Sequence, residues 1–163
     1  MNPYMTLLAE ASDWDESLAQ AASAYYKLIL IVGPIGSGKS KILKEILNFN
    51  FTHLNFGKAF SRELLTKPAH LRAADAEEVA IDLVDATNAA RIAIDNTEVL
   101  FESPIRLNPL ALLKSLSTRR LIVATWNGSF DASHLYYGIK GHPAYEEFKY
   151  TKEDTFIIVP ITN

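Results

Sequence analysis

The sequence predicts an α/β fold, a five-stranded, mostly parallel sheet sandwiched between helices. Three observations predict it. Five short apolar segments read as strands, and one of them, Leu28 to Val32, is continuously apolar and rich in β-branched residues, the pattern of a strand covered on both faces. Between them lie stretches whose apolar residues recur at helical spacing, and strands joined through helices pair in parallel. A glycine-rich octet joins the first strand to a helix.

Trp14, Leu18, Ala21, Ala22 and Tyr25 recur at helical spacing, with Asp13 as the N-cap. Residues 1–26 are therefore expected as an N-terminal helical extension packed on a single domain spanning 1–163. Lys27-Leu-Ile-Leu-Ile-Val32 is the first strand, stopped by Gly33. Lys39 to Phe49 is a helix with Ile42, Leu43, Ile46 and Leu47 on one face. Phe51 to Phe56 is the second strand, followed by one or two helical turns over Ala59 to Leu65 that Pro68 ends. Ala76, Val79, Ala80, Leu83 and Val84 mark the next helix, and Arg91-Ile-Ala-Ile-Asp95 the third strand. Asn108-Pro109 has the form of a helix start, and that helix runs to Arg119 and Arg120, whose charges suit its C-terminal end. Leu121 to Thr125 is the fourth strand. Asp131 to Ile139 and Ala144 to Tyr150 are expected as helices broken at Gly141 and Pro143, before a last strand over Thr155 to Pro160.

Composition narrows the function classes. A chain of 163 residues fits one domain. It has no cysteine, which excludes disulfides, cysteine-ligated metals and thiol nucleophiles, and suits a reducing cytoplasm. A net charge of −3 excludes a globally basic nucleic-acid-binding domain. Met1 to Glu16 lacks the basic residues of a signal peptide, and the longest apolar run, Leu28 to Val32, is far short of the roughly 20 residues of a membrane helix.

Gly33-Pro34-Ile35-Gly36-Ser37-Gly38-Lys39-Ser40 fits the pattern G-x-x-x-x-G-K-[ST]. Its glycines let several backbone N–H groups face one anion, and the following helix points its positive end at the same place. Lys39 is placed to reach the β- and γ-phosphates, and the Ser40 hydroxyl to ligate Mg²⁺. This chain's own residue frequencies predict only about 0.002 chance matches. The octet thus points to ATP with Mg²⁺ as cofactors, and to a P-loop nucleotide triphosphatase fold.

Such a loop needs an acid at the end of a neighbouring strand to hold the magnesium shell. Asp95 fits, and a turn or cap aspartate is the alternative. A complete strand separates the loop from Asp95 in the chain, the order of phosphate-loop ATPases that insert a strand between their two motif strands. Such enzymes place a glutamate directly after the aspartate, where this chain has Asn96. Glu98 replaces it only if the turn brings its carboxylate round; otherwise it is a solvated charge. At the end of the fourth strand Asn127, and second to it Thr125, would contact the γ-phosphate or the water, unless Asn127-Gly128 forms a turn. Lys39, Glu98 and Asn127 are thus the catalytic candidates, with Ser40 and Asp95 for the metal. Arg106, Arg119 and Arg120 are candidates for an arginine acting on a neighbouring subunit, against ordinary solvated or capping roles.

With these residues in place the chain resembles the AAA+ side of the phosphate-loop ATPases, and more closely the BrxF family of type 3 BREX phage-defence systems. The stretches that carry the resemblance are Leu28 to Ser40, Leu54-Asn-Phe-Gly57 with Ser61-Arg-Glu-Leu-Leu65, Ile94 to Phe101, Leu107 to Leu113 and Val123-Ala-Thr-Trp-Asn-Gly128. The resemblance implies an ATP-binding, ATP-hydrolysing component of a bacterial antiviral complex. Gly33 to Ser40 would be its Walker A loop, Asp95 its Walker B acid and Asn127 its sensor. It implies partners too: further copies of the chain, other defence proteins of that system, or both. Two departures from the wider pattern are Asn96 and an expected lack of the C-terminal helical lid.

A small-molecule or nucleic-acid kinase is the runner-up, but Gly128 to Asp154 holds no arginine for a phosphate-clamping lid. A non-hydrolysing, nucleotide-gated scaffold is the third reading, kept open by Asn96. No Asn-Lys-x-Asp motif supports a GTPase. Arg119-Arg120 and Tyr136-Tyr137 with Lys140 mix basic and aromatic groups, so local nucleic-acid contact stays open without support from the overall charge. His53, His70, His134 and His142 are too scattered to suggest a metal triad.

Overall fold

The computed structural model describes residues 14–101, 105 and 107–161. The proposed cap Asp13 and the arginine candidate Arg106 lie outside the described residues. The elements follow the order α1 (Trp14–Ala22), β1 (Leu28–Gly33), α2 (Lys39–Ile46), β2 (Thr52–Asn55), α3 (Phe56–Leu65), α4 (Arg72–Ala86), β3 (Arg91–Asp95), α5 (Pro109–Leu116), β4 (Leu121–Phe130), β5 (His134–Tyr137), β6 (Glu146–Lys149) and β7 (Ile157–Pro160). A 3-10 segment, Thr97–Phe101, follows β3.

Five strands pair in parallel in the order β2-β3-β4-β1-β7, the sheet that the five apolar segments predict. Every residue of β1 is buried, because helices cover both faces. On one face Ile29, Ile31, Val123 and Val159 pack under α1 and α2 through Trp14, Leu18, Leu43 and Ile46. On the other, Leu28, Leu30, Ile92, Ile94 and Ile122 meet α3, α4 and α5 through Phe56, Phe60, Ala80, Val84 and Leu113. This is the α/β sandwich that the sequence predicts. Because β4 lies between β1 and β3, the phosphate loop and Asp95 sit two strands apart at the C-terminal edge of the sheet.

Several boundaries move. The helix after β2 is longer than the one or two turns expected, because Asn55 caps it: its Oδ1 accepts from the Lys58 N–H at 3.2 Å. As expected, Asn108 caps α5, accepting from the Ala111 N–H at 3.0 Å, but α5 ends at Leu116, short of Arg119 and Arg120.

The helices expected over Asp131 to Ile139 and Ala144 to Tyr150 are overturned. β4 continues through Asn127 and Gly128 to Phe130, and β5 and β6 extend the sheet as antiparallel strands, making seven among the described residues. The side chains follow a period of two: Leu135 and Phe148 are buried opposite one another, beside exposed Glu147. Phe148 joins Trp126 and Phe101 in an aromatic cluster with ring centroids 5.0–5.8 Å apart. Asp131 makes the turn by accepting from the backbone N–H groups of Ser133 and His134 at 2.9 and 2.8 Å. Gly128 is required where β4 meets β5, since a Cβ there would lie 1.8 Å from the Tyr136 carbonyl oxygen.

Candidate functional site

The loop over Gly33 to Ser40 leaves β1 and enters α2 as its motif requires. Gly36 and Gly38 take φ of 78° and 97°, a left-handed backbone that turns the loop inward and starts the helix. Lys39 is 7% exposed and lies back along the loop, its Nζ donating to the carbonyl oxygens of Gly33 at 3.0 Å and Pro34 at 2.6 Å. Burial pushes its pKa below the ordinary lysine value, while the carboxylates of Glu98 and Asp95 pull it back up. An ammonium held against two carbonyls between carboxylates is stabilised further by an incoming phosphate.

The parallel register brings the remaining groups to this edge. Asn127 on β4 is the partner of Gly33 on β1, and Asp95 on β3 is the partner of Asn55 on β2. The Ser40 hydroxyl donates to Asp95 Oδ1 at 3.2 Å. A hydroxyl beside a carboxylate is an all-oxygen donor set. It suits Mg²⁺, which takes one or two protein oxygens and completes its shell with phosphate and water. Among the described residues no cluster of three histidine or acidic side chains offers a fuller cage. The residues therefore fit Mg²⁺ brought by a nucleotide.

Asn96 and Glu98 exchange the places that their sequence positions suggest. Asn96 adopts φ 56°, and its side-chain amide donates to Asn55 Oδ1 at 3.0 Å, away from the loop. The turn then continues into the 3-10 segment, fixed by Thr97 Oγ1, which donates to the Thr125 carbonyl at 2.6 Å. This brings Glu98 round: Asn127 Nδ2 donates to Glu98 Oε1 at 2.6 Å. A cavity of about 340 Å³ is lined by Ile35, Gly36, Gly38, Lys39, Ser40, Asp95, Glu98, Thr125 and Asn127. One cavity therefore gathers a buried ammonium, a hydroxyl–carboxylate pair and a carboxylate braced by an amide.

The turn alternative for Asn127-Gly128 is not realised, because both residues lie within β4. Arg119 and Arg120 precede β4, at the sheet edge opposite this cavity, and Arg120 is paired with Asp85 at 2.5 Å. Neither reaches the cavity within one chain. Two residues that the sequence reading did not assign to the site lie beside it: Asn55, which holds Asn96, and His53, whose Nε2 lies 4.0 Å from Asp95 Oδ2. Only the parallel pairing of β2 with β3 brings them there, so no local pattern signals them. Among the described residues no helix is long and apolar enough to cross a membrane.

No family model matches the chain, and no curated protein matches it significantly. Among solved structures it is similar to C. elegans PCH-2, with 14% identity and a TM-score of 0.43, over 98% of this chain and 45% of that one. The chain thus spans less than half the length of that protein.

Proposed function

We propose that the chain binds ATP with Mg²⁺ at residues 33–40 and hydrolyses the γ-phosphate, as an AAA+-like ATPase. One observation carries this reading: Lys39 and Ser40, Asp95, Glu98 and Asn127, from four separate segments, line a single cavity. The loop N–H groups and Lys39 would hold the β- and γ-phosphates. Ser40 and Asp95 would hold the metal, which supplies charge neutralisation when bound. Glu98 would take the proton of the attacking water, with Asn127 fixing its carboxylate. Glu98 thereby stands in for the acid that Asn96 replaces, which favours hydrolysis over the non-hydrolysing scaffold.

The finer reading is a component of a bacterial antiviral complex of BREX type, acting with further copies of the chain or with other defence proteins. Its support is the resemblance in the stretch from Asp95 to Gly128. The placement of Arg119 and Arg120 away from the cavity fits an arginine given to a neighbour rather than used within one chain.

Phosphate release from MgATP at several protein concentrations tests the proposal. Lys39→Ala should abolish binding and turnover. Glu98→Gln should keep ATP binding and lower turnover by about 100-fold or more. Specific activity that rises with protein concentration would support completion of the site by a second copy. Full activity in Glu98→Gln would overturn the role of Glu98, and wild-type ATP binding without turnover at any concentration would return the reading to the scaffold.

A further inference from the structure

A second cavity, of about 650 Å³, adjoins the phosphate cavity and shares Ile35 and Asn127 with it. Its volume lies within the range of small-molecule sites, about 300–1,000 Å³. β5 and the loop that follows it build most of its wall, and Tyr136, Tyr137 and Tyr145 are among its lining residues, the Tyr137 ring being stacked on Phe101 at 3.7 Å. Tyr136 and Tyr145 are parallel to within 8°, with centroids 6.1 Å apart. Their hydroxyls donate to Asp131 and to Glu147, which fixes the rings. Two isoleucines lining the cavity, Ile35 and Ile139, are 83% and 78% exposed, so neither is a core residue. No carboxylate lines the cavity among the described residues; Asn127, Ser129, His142 and Lys140 supply its polar groups.

Fixed aromatic and aliphatic walls with a few amide, hydroxyl and basic groups favour a flat ring carrying hydrogen-bonding substituents. We propose that this cavity is a second ligand site, which takes a molecule of nucleoside class while ATP occupies the phosphate loop. The second clause rests on the ATP reading. Glu98 and Asn127 mark the γ-phosphate end of that nucleotide, and the aromatic cavity begins at Asn127. The base of the same nucleotide lies at the other end of its triphosphate, so the aromatic cavity receives a separate molecule.

Titration of the full chain with adenosine, guanosine, cytidine and uridine, by calorimetry and tryptophan emission, tests this. Trp126 is a suitable reporter because its Nε1–H is held by the Tyr136 carbonyl at 3.1 Å. At least one nucleoside should bind saturably in the presence of saturating Mg²⁺ and a non-hydrolysable ATP analogue. Tyr145→Ala should weaken that binding by about fivefold or more, the loss expected for one aromatic stacking contact. Ile139→Glu, on an exposed residue whose replacement leaves the core untouched, should weaken it too, and Lys39→Ala should leave it unchanged. The proposal is overturned if no nucleoside binds, if neither cavity variant alters binding, or if the ATP analogue displaces the nucleoside. ATP binding measured without nucleoside separates the two readings: its absence in the wild-type chain sinks the proposed ATPase, while nucleoside binding still reports on the second cavity.

Discussion

The two cavities that meet at Asn127 are built by different means. The cavity proposed for the phosphates is walled by a short loop and by the ends of parallel strands. Its groups are held by the register and by hydrogen bonds of 2.6–3.2 Å between neighbours in space. The aromatic cavity is walled by an antiparallel hairpin reached through one long strand, and rings packed on rings hold it. A site assembled at strand ends inherits its geometry from the buried sheet. A site assembled on a hairpin depends on a few close approaches within the hairpin itself. The two regions should therefore fail separately.

Gly128→Ala tests this with the largest expected effect. The new Cβ would fall 1.8 Å from the Tyr136 carbonyl oxygen, so β4 and β5 cannot keep their pairing. The same carbonyl accepts from Trp126 Nε1, so the aromatic cluster is disturbed with it. A loss of about 3 kcal/mol, or about 10 °C in melting temperature, is expected. Lys39 and Ser40 belong to the β1–α2 unit, so nucleotide binding at low temperature should weaken far less than the hairpin. Equal loss of both would show that the two regions are one cooperative unit.

The same division explains what could be read from the sequence. The central strands were legible because burial on both faces leaves an apolar run, as in Leu28 to Val32, whereas the edge strand β2 is largely exposed and has no such run. The phosphate loop was legible because each glycine answers a local backbone demand. The hairpin was not. Residues 131–139 mix polar and aromatic side chains over a short span, and only the partners Leu135 and Phe148, thirteen positions apart in the chain, reveal the period of two. Glu98 fell between these cases. Its position was legible, but its approach depends on the left-handed turn at Asn96 and on a hydrogen bond from Thr97 to another strand.

Asn127→Ala sharpens the comparison at the shared wall. It removes the only amide that braces Glu98 among the described hydrogen bonds, and opens the boundary between the two cavities. We expect kcat to fall by about 10- to 100-fold with little change in the KM for ATP. A change in KM alone would instead make Asn127 a nucleotide-binding residue. Asn55→Ala should cost less. It removes the cap of α3 and the anchor of Asn96, for about 1 kcal/mol and a melting temperature lower by about 3 °C. Because Asn96 no longer holds its turn, turnover should also fall, whereas the hairpin should not respond.

The smallest effect comes from pH, and it belongs to the hairpin alone. Hydrogen bonds from the Tyr136 hydroxyl and from the Ser133 and His134 backbone lower the Asp131 pKa to about 2. The same contact raises the pKa of Tyr136 to about 12. A carboxylate whose pKa is lower in the folded state contributes stability above the unfolded value of about 4, and loses it as pH falls toward 2. A phenol whose pKa is raised contributes below about 10 and loses it as pH rises toward 12. The pair is thus at full strength between about pH 5 and 9, and its exposure to water keeps the contribution small. Melting curves of the wild type and Asp131→Asn should differ modestly in that window and converge as pH falls from about 4 to 2. A constant difference down to pH 2 would mean that Asp131 acts through the shape of its turn, not through its charge.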